Sequence, residues 1–167
     1  MKGKDIINKG GLFLENKEFI PLVVELVEQG HEVTIPLRGN SMRPFLSDYN
    51  DKAILVSPSR PLRIGDVVLA DMQEGRYVLH RIIKMNGEMI QMQGDGNLHP
   101  DKVVSQCDIK AMAKGFIRNG NDRIDYADGF LFRCYSFLWM RMIPLRRWLL
   151  AGFRRWDELR GNPWYVR

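Results

Sequence analysis

Little in this sequence points to metal or disulfide chemistry. Only two cysteines occur, Cys107 and Cys134, too few for a disulfide framework. Their spacing fits no zinc pattern, and both are expected as buried thiols. The three histidines, His31, His80 and His99, are scattered and form no metal cluster with them. No metal or organic cofactor is therefore expected. Long apolar runs are missing too. The run "FIPLVVELV" is interrupted by Glu25 and Glu28, far short of the ~20 apolar residues that span a bilayer. The first residues, "MKGKDIINKGGLFLENKEF", contain no apolar stretch of signal-peptide length. The expected location is the cytoplasm, or the cytoplasmic face of a membrane. Internal repeats and low-complexity linkers are also absent.

Acidic residues are scarce in one place. Residues 130–167 carry eight arginines and two acids, whereas residues 1–129 hold 17 Lys/Arg and 18 Asp/Glu. The net charge of +5 thus belongs to the C-terminal tail. General nucleic-acid binding is not expected from a basicity so localised.

What the chain does hold is enough for one domain with a small appendage. It has 167 residues, and 45% of them are apolar. Residues 16–29 have apolar positions at helical spacing, with Gly30 as a stop. Pro21 predicts that the regular helix begins close to it. The period then changes to two at Val33, Ile35 and Leu37, as in a half-buried strand. Short runs rich in Val, Ile and Met follow: "KAILVSP", "GDVVLADM", "RYVLHRIIKM", "EMIQMQG" and "IKAMAKGFIRNG". Asn86-Gly87 between two of them is a hairpin signal. The pattern predicts a mainly β, antiparallel, partly closed domain over 31–120. An N-terminal helical segment (1–30) precedes it, and a basic amphipathic helical region (130–160) follows.

In that last region Pro144 suits the start of a second helix. At 100° per residue from Arg146, Arg147, Arg154 and Arg155 fall between about 0° and 180°. Trp148, Leu149, Phe153, Trp156 and Leu159 fall between about 200° and 340°. A basic face opposite a Trp- and Leu-rich face fits a helix at an anionic membrane surface. It also fits a helix packed on the domain or on a partner, and less well a nucleic-acid surface.

The segment "IPLRGNSMRPFL" sets Ser41 in a short gap of turn-forming residues. A serine hydroxyl needs a base within hydrogen-bond reach, oxyanion donors and a group that orients the base. The candidate base is His80, in the strand-like "YVLHRII". The candidate third member is Asp95 or Asp101, from "GDGNLHPDK". Each residue also has an ordinary structural reading: a loop serine, a strand histidine, a turn aspartate.

Taken in order, "GNSMRPFL", "IGDVVLA", "YVLHRII", "GDGNLHPDK" and "VVSQCDIKAMAKGF" resemble the type I signal peptidase and LexA-like serine peptidase superfamily. The resemblance covers roughly residues 31–118. In that superfamily a Ser-Met dipeptide, usually followed one residue later by Pro, carries the nucleophile. Many members place a lysine base in the strand equivalent to "YVLHRII". His80 at that position is similar to the archaeal and endoplasmic-reticulum signal peptidases, in which an aspartate six residues after the Asp of the Gly-Asp motif completes the set. Here Asp95 begins that count and Asp101 ends it.

The resemblance implies Ser41 as nucleophile, His80 as general base and Asp101 as its orienting partner. Asp95 would support the loop, and Met42 would pack near the cleft. The Ser41 N–H would be an oxyanion donor, with Asn40 a candidate to assist. The hydroxyl residue that signal peptidases often place two before the nucleophile is Gly39 here. The chain shows no anchoring helix before the serine, no helix-turn-helix region and no Ala-Gly self-cleavage site, so a LexA-type repressor is not expected. The implied function is a serine endopeptidase cutting a leader-like peptide through an acyl-enzyme. Alternatives are an autoprocessing regulator and an inactive binding module with the same fold.

Overall fold

The structure, a computed structural model, describes residues 16–48, 50–73, 75–118, 123–159 and 161. The parts of the expected segments that fall on 1–15, 49, 74, 119–120 and 160 lie outside the described residues. Helix α1 (Asn16–Glu28) turns Val23, Val24 and Val27 inward. Gly30, at φ +88°, ends it in a Schellman turn: His31 N–H donates to Leu26 O and Gly30 N–H to Val27 O. Pro21 lies inside α1, not at its start. There it forgoes the hydrogen bond that an N–H at 21 would make back to Lys17 O, so α1 lacks one bond at its second turn.

Among the described residues, eight strands form one antiparallel sheet. They are β1 (Val33–Pro36), β2 (Lys52–Val56), β3 (Val67–Asp71), β4 (Tyr77–Asn86), β5 (Met89–Gln93), β6 (Val104–Ser105), β7 (Ile109–Ile117) and β8 (Ile124–Tyr126). The order across the sheet is β1-β2-β7-β3-β4-β5-β6. Strand β7 is the axis: β2 runs along one side, while β3 and then β8 share the other. Strands β4 and β5 join through a tight hairpin in which Asn86 pairs with Met89, and Gly87 takes φ +58°. The mainly β, antiparallel, partly closed architecture expected from the sequence is the observed one, with helices at both ends.

Side-chain alternation sends alternate strand residues to two cores. Val67, Leu69, Ala111, Ala113 and Phe116 join α1 and the Ser41 loop in one cluster. Val68, Ala70, Ile82, Met92 and Met112 form the second cluster.

The C-terminal region is two helices, α2 (Phe130–Arg141) and α3 (Arg146–Leu159), joined by a 3-10 turn holding Pro144. Helix α2 enters the first core through Phe132, whose ring stacks on Phe116 at 5.5 Å. Helix α3 rests on α2 through Leu150 and Trp139. Two expectations are corrected here. Arg146 does not join an outer basic face: it is buried, its guanidinium 5.5 Å from the Trp139 ring centre. The cysteines are not buried thiols either: Cys107 is exposed in a one-turn 3-10 helix after β6, and Cys134 is half-buried on α2.

Candidate active site

Ser41 follows β1 in a turn that its own loop ties shut. Gly39 N–H donates to Asp48 Oδ1 (3.0 Å), Arg43 N–H to Asn40 O (3.2 Å) and Leu46 N–H to Met42 O (2.9 Å). Gly39 has φ +85°, a conformation open to glycine and costly for other residues. Met42, Phe45 and Leu46 anchor the turn in the first core. The backbone of Ser41 is thereby held while its side chain stays half-exposed.

His80 comes from β4, where Val68 of β3 is its cross-strand partner. It is buried, and its Nδ1 lies 2.6 Å from Asp101 Oδ2. In the neutral ring this contact fixes the proton on Nδ1 and leaves Nε2 bare to accept. Asp101 is itself held, since its N–H donates to Met92 O (2.9 Å) and its carbonyl accepts from Gln91 Nε2 (3.4 Å). Ser41 and His80 line one open cavity of about 150 Å³, together with Leu37, Met42, Leu46, Tyr77 and Leu79. Among the described residues no hydrogen bond joins Ser41 Oγ to His80. Such catalytic contacts commonly tighten only when substrate is bound. Ser41, His80 and Asp101 therefore meet in one place, and Met42 is in the same wall. Asn40 is not in that lining, and its Oδ1 is buried without a hydrogen-bond partner.

The segment Gly94–Asn97 lies across the back of this site. Gly96 N–H donates to Ser41 O (2.8 Å). A Cβ on Gly94 would lie 2.4 Å from Ser41 O and 3.0 Å from His80 Nε2, and one on Gly96 would lie 2.6 Å from Asn40 O. The glycines of "GDGN" are thus explained by close backbone approach to the serine loop. Asp95, between them, faces away from His80 and makes a two-pronged ion pair with Arg81: Nε to Oδ1 at 2.9 Å, Nη2 to Oδ2 at 2.7 Å.

Arg81 is not among the residues that the sequence motifs single out. It is fully buried, and its guanidinium also donates to Gly65 O (3.0 Å) and Ser136 Oγ (2.5 Å). The rings of Phe45, Phe132 and Tyr135 surround it at 5.1–5.7 Å. Burial is the largest influence on its titration and opposes the charge. The Asp95 charge and hydrogen bonds outweigh it, so the pKa is raised above the ordinary arginine value. Arg81 ties together the strand of His80, the Gly94–Asn97 segment, the serine loop and α2. The available signal was an arginine inside the apolar run "YVLHRII", beside the histidine.

Helix α3 touches both loops. Arg43 Nη1 donates to Asp157 Oδ2 at 3.0 Å, and Arg146 Nη1 donates to Asn97 O at 3.4 Å. Burial lowers the pKa of Arg146; the Asp95 charge opposes that fall without cancelling it.

Among the described residues no group of three His, Cys, Asp or Glu side chains could hold a metal ion. No described helix is long and apolar enough to cross a membrane. No curated protein matches the chain in sequence. The sequence model of one family does match, over residues 7–116, a span that takes in Ser41, His80, Asp95 and Asp101. With more than half of its length matched, and with the antiparallel fold described above, the chain belongs to the Peptidase S24-like family.

Proposed function

We propose that this chain is a serine endopeptidase in which Ser41, His80 and Asp101 act as nucleophile, base and orienting carboxylate. The observation that carries the reading is the position of His80. Its Nδ1 is held by Asp101 at 2.6 Å, and its ring borders the cavity that Ser41 also lines. In the proposed reaction His80 Nε2 takes the Ser41 proton as Oγ attacks the scissile carbonyl. Collapse of the tetrahedral intermediate breaks the C–N bond, and the imidazolium gives its proton to the leaving amine. Water, deprotonated by His80, then hydrolyses the acyl-enzyme. Asp101 favours the imidazolium in both halves by accepting the Nδ1 proton's hydrogen bond. The Ser41 N–H is the proposed oxyanion donor.

The substrate is an extended peptide. Residues Tyr77–Arg81 of β4 pair with β3, but β5 pairs with β4 only from Arg81 onward. The edge at Tyr77–His80 is therefore open to a further strand beside the cavity, a geometry suited to β-addition. The cavity wall of Leu37, Met42, Leu46, Tyr77 and Leu79 favours a small apolar side chain at the cut.

The test is incubation of the full chain with a diverse peptide library, with cleavage read by mass spectrometry. Ser41→Ala and His80→Ala are each expected to lower cleavage by at least ~10³-fold. Asp101→Asn is expected to lower it by ~10²–10⁴-fold with the fold intact. Cleavage confined to the chain itself, and lost in Ser41→Ala, would make the protein an autoprocessing peptidase instead. Identical null profiles for wild type and all variants would leave a binding module.

A further inference from the structure

We propose that the outer face of α3 docks the protein on an anionic lipid surface. The inference rests on the packing of α3 and not on the peptidase reading. The helix already satisfies its inner face. Leu150 and Arg146 are buried there, Phe153 meets Trp139 at 6.4 Å between ring centres, and Asp157 pairs with Arg43. Trp148 and Leu159 lie on the opposite side, at 75% and 81% exposure, and Trp156, at 55%, lies on the flank beside Phe153. Positions 148, 155 and 159 share one stripe at helical spacing, and Arg155 is exposed within it, at the border of the basic and Trp-rich faces. Arg147 is exposed at its flank. Helix α2 repeats the composition: Phe137 and Leu138 are exposed, with the Arg141 guanidinium 5.8 Å from the Phe137 ring centre.

The chemistry of the stripe selects the occupant. Tryptophan has an apolar body and a polar N–H, and it favours the headgroup depth of a bilayer. Every basic residue of the tail is arginine, whose planar fork grips phosphate oxygens two at a time. Of the two acids in 130–167, Asp157 faces inward to Arg43, which leaves Glu158 as the one described acid on the outer side. A second copy of the same face would set Arg147 and Arg155 against their own images, with no exposed acid excess to meet them. An anionic lipid surface answers both the rings and the charges. The inner face of α3 touches the Ser41 loop through Asp157 and the Gly94–Asn97 segment through Arg146. Docking would hold those loops about one helix diameter, roughly 10–12 Å, from the headgroups.

The experiment is co-sedimentation of the full chain, carrying Ser41→Ala, with vesicles of phosphatidylglycerol and phosphatidylcholine, and with pure phosphatidylcholine. Binding is expected to be at least ~10-fold tighter on the anionic vesicles and to weaken with salt. Trp148→Ser/Trp156→Ser and, separately, Arg147→Glu/Arg155→Glu should each reduce it at least ~10-fold, with a cooperative thermal melt retained. None of the four belongs to a buried cluster, so both pairs leave the cores in place. The proposal is overturned if the wild-type chain ignores anionic vesicles, or if binding survives either pair of substitutions. It is equally overturned if the tryptophan pair abolishes concentration-dependent self-association in lipid-free buffer, because the occupant is then a second copy. Binding is read without substrate, so its failure leaves the peptidase reading standing, and an inactive protein that still binds vesicles leaves the docking standing.

Discussion

A single missing methyl group decides how near two loops can come to one another. Gly94 needs no unusual dihedral; what it needs is space, because a Cβ there would meet Ser41 O at 2.4 Å and Asn97 Nδ2 at 2.8 Å. Backbone oxygen cannot swing away as a side-chain tip can, so Gly94→Ala must push the serine loop and the Gly94–Asn97 segment apart. Overpacking of this kind typically costs ~1–3 kcal/mol. It should displace Ser41 from His80, and a shift near 1 Å can cost ~10²-fold in rate. Urea denaturation checks the first figure and peptide cleavage the second; a variant as stable as wild type would mean the segment sits farther from Ser41 than described here. The serine, the histidine and the second aspartate were readable in the sequence because their order along the chain is a motif. Arg81 was not readable. Its partners are Asp95, 14 residues on, Phe45 on another loop, and Phe132, Tyr135 and Ser136 on α2. An arginine inside an apolar run hints at burial, but nothing local names partners so distant in sequence.

Among whole elements, the strands were legible because each carries its own period-two pattern and turn residues, as the β4–β5 hairpin illustrates. Shorter strands such as β6 and β8 have too few residues to show a period. Helix α3 was legible as a two-faced helix, but its orientation was not. Arg146 reads as solvent-facing, yet it lies inward, where the Trp139 ring and Asn97 carbonyl receive it. Trp148 fits either a membrane-facing or a packed helix face, and it lies outward. Periodicity gives the faces; what each face meets depends on residues far along the chain. Gly152 tests the assigned orientation. It lies inside α3, and a Cβ there would meet nothing within 4 Å. Gly152→Ala should therefore stabilise the protein, by ~0.5–1 kcal/mol, because alanine loses less backbone freedom in a helix. Substitution of glycine by alanine thus has opposite expected signs at 94 and 152, set by packing alone. A lowered melting temperature for Gly152→Ala would mean that the outer side of α3 is covered.

The whole molecule depends on how the C-terminal helices are joined to the sheet. Phe132 sits between Phe45 and Phe116 at 5.3 and 5.5 Å, Tyr135 stacks on Phe45 at 4.8 Å, and Ser136 accepts from Arg81. Removing residues 130–167 would uncover the first core and open one side of the Arg81–Asp95 pair. Loss of the Phe132 ring alone is comparable to a Phe→Ala change, ~3–5 kcal/mol. The total approaches the 5–15 kcal/mol by which whole domains are typically stable, so residues 1–129 are expected not to fold cooperatively. Ending the chain after Met142 is different. It keeps α2 and its contacts, and it removes the cover over Trp139, the Arg43–Asp157 pair and the Arg146 bond to Asn97. That form should fold with a stability lower by ~2–4 kcal/mol, chiefly from the exposed Trp139 face and the lost Leu150 packing. Its serine loop and Gly94–Asn97 segment, each deprived of a tether to α3, should exchange amide protons faster than in the full chain, while β3, β4 and β7 keep their protection. Urea titration ranks the three lengths and hydrogen exchange locates the difference. Equal stability for residues 1–129 and the full chain would show that α2 does not complete the core, and unchanged exchange in both loops after removal of α3 would show that the tethers through Arg43 and Arg146 do not hold them.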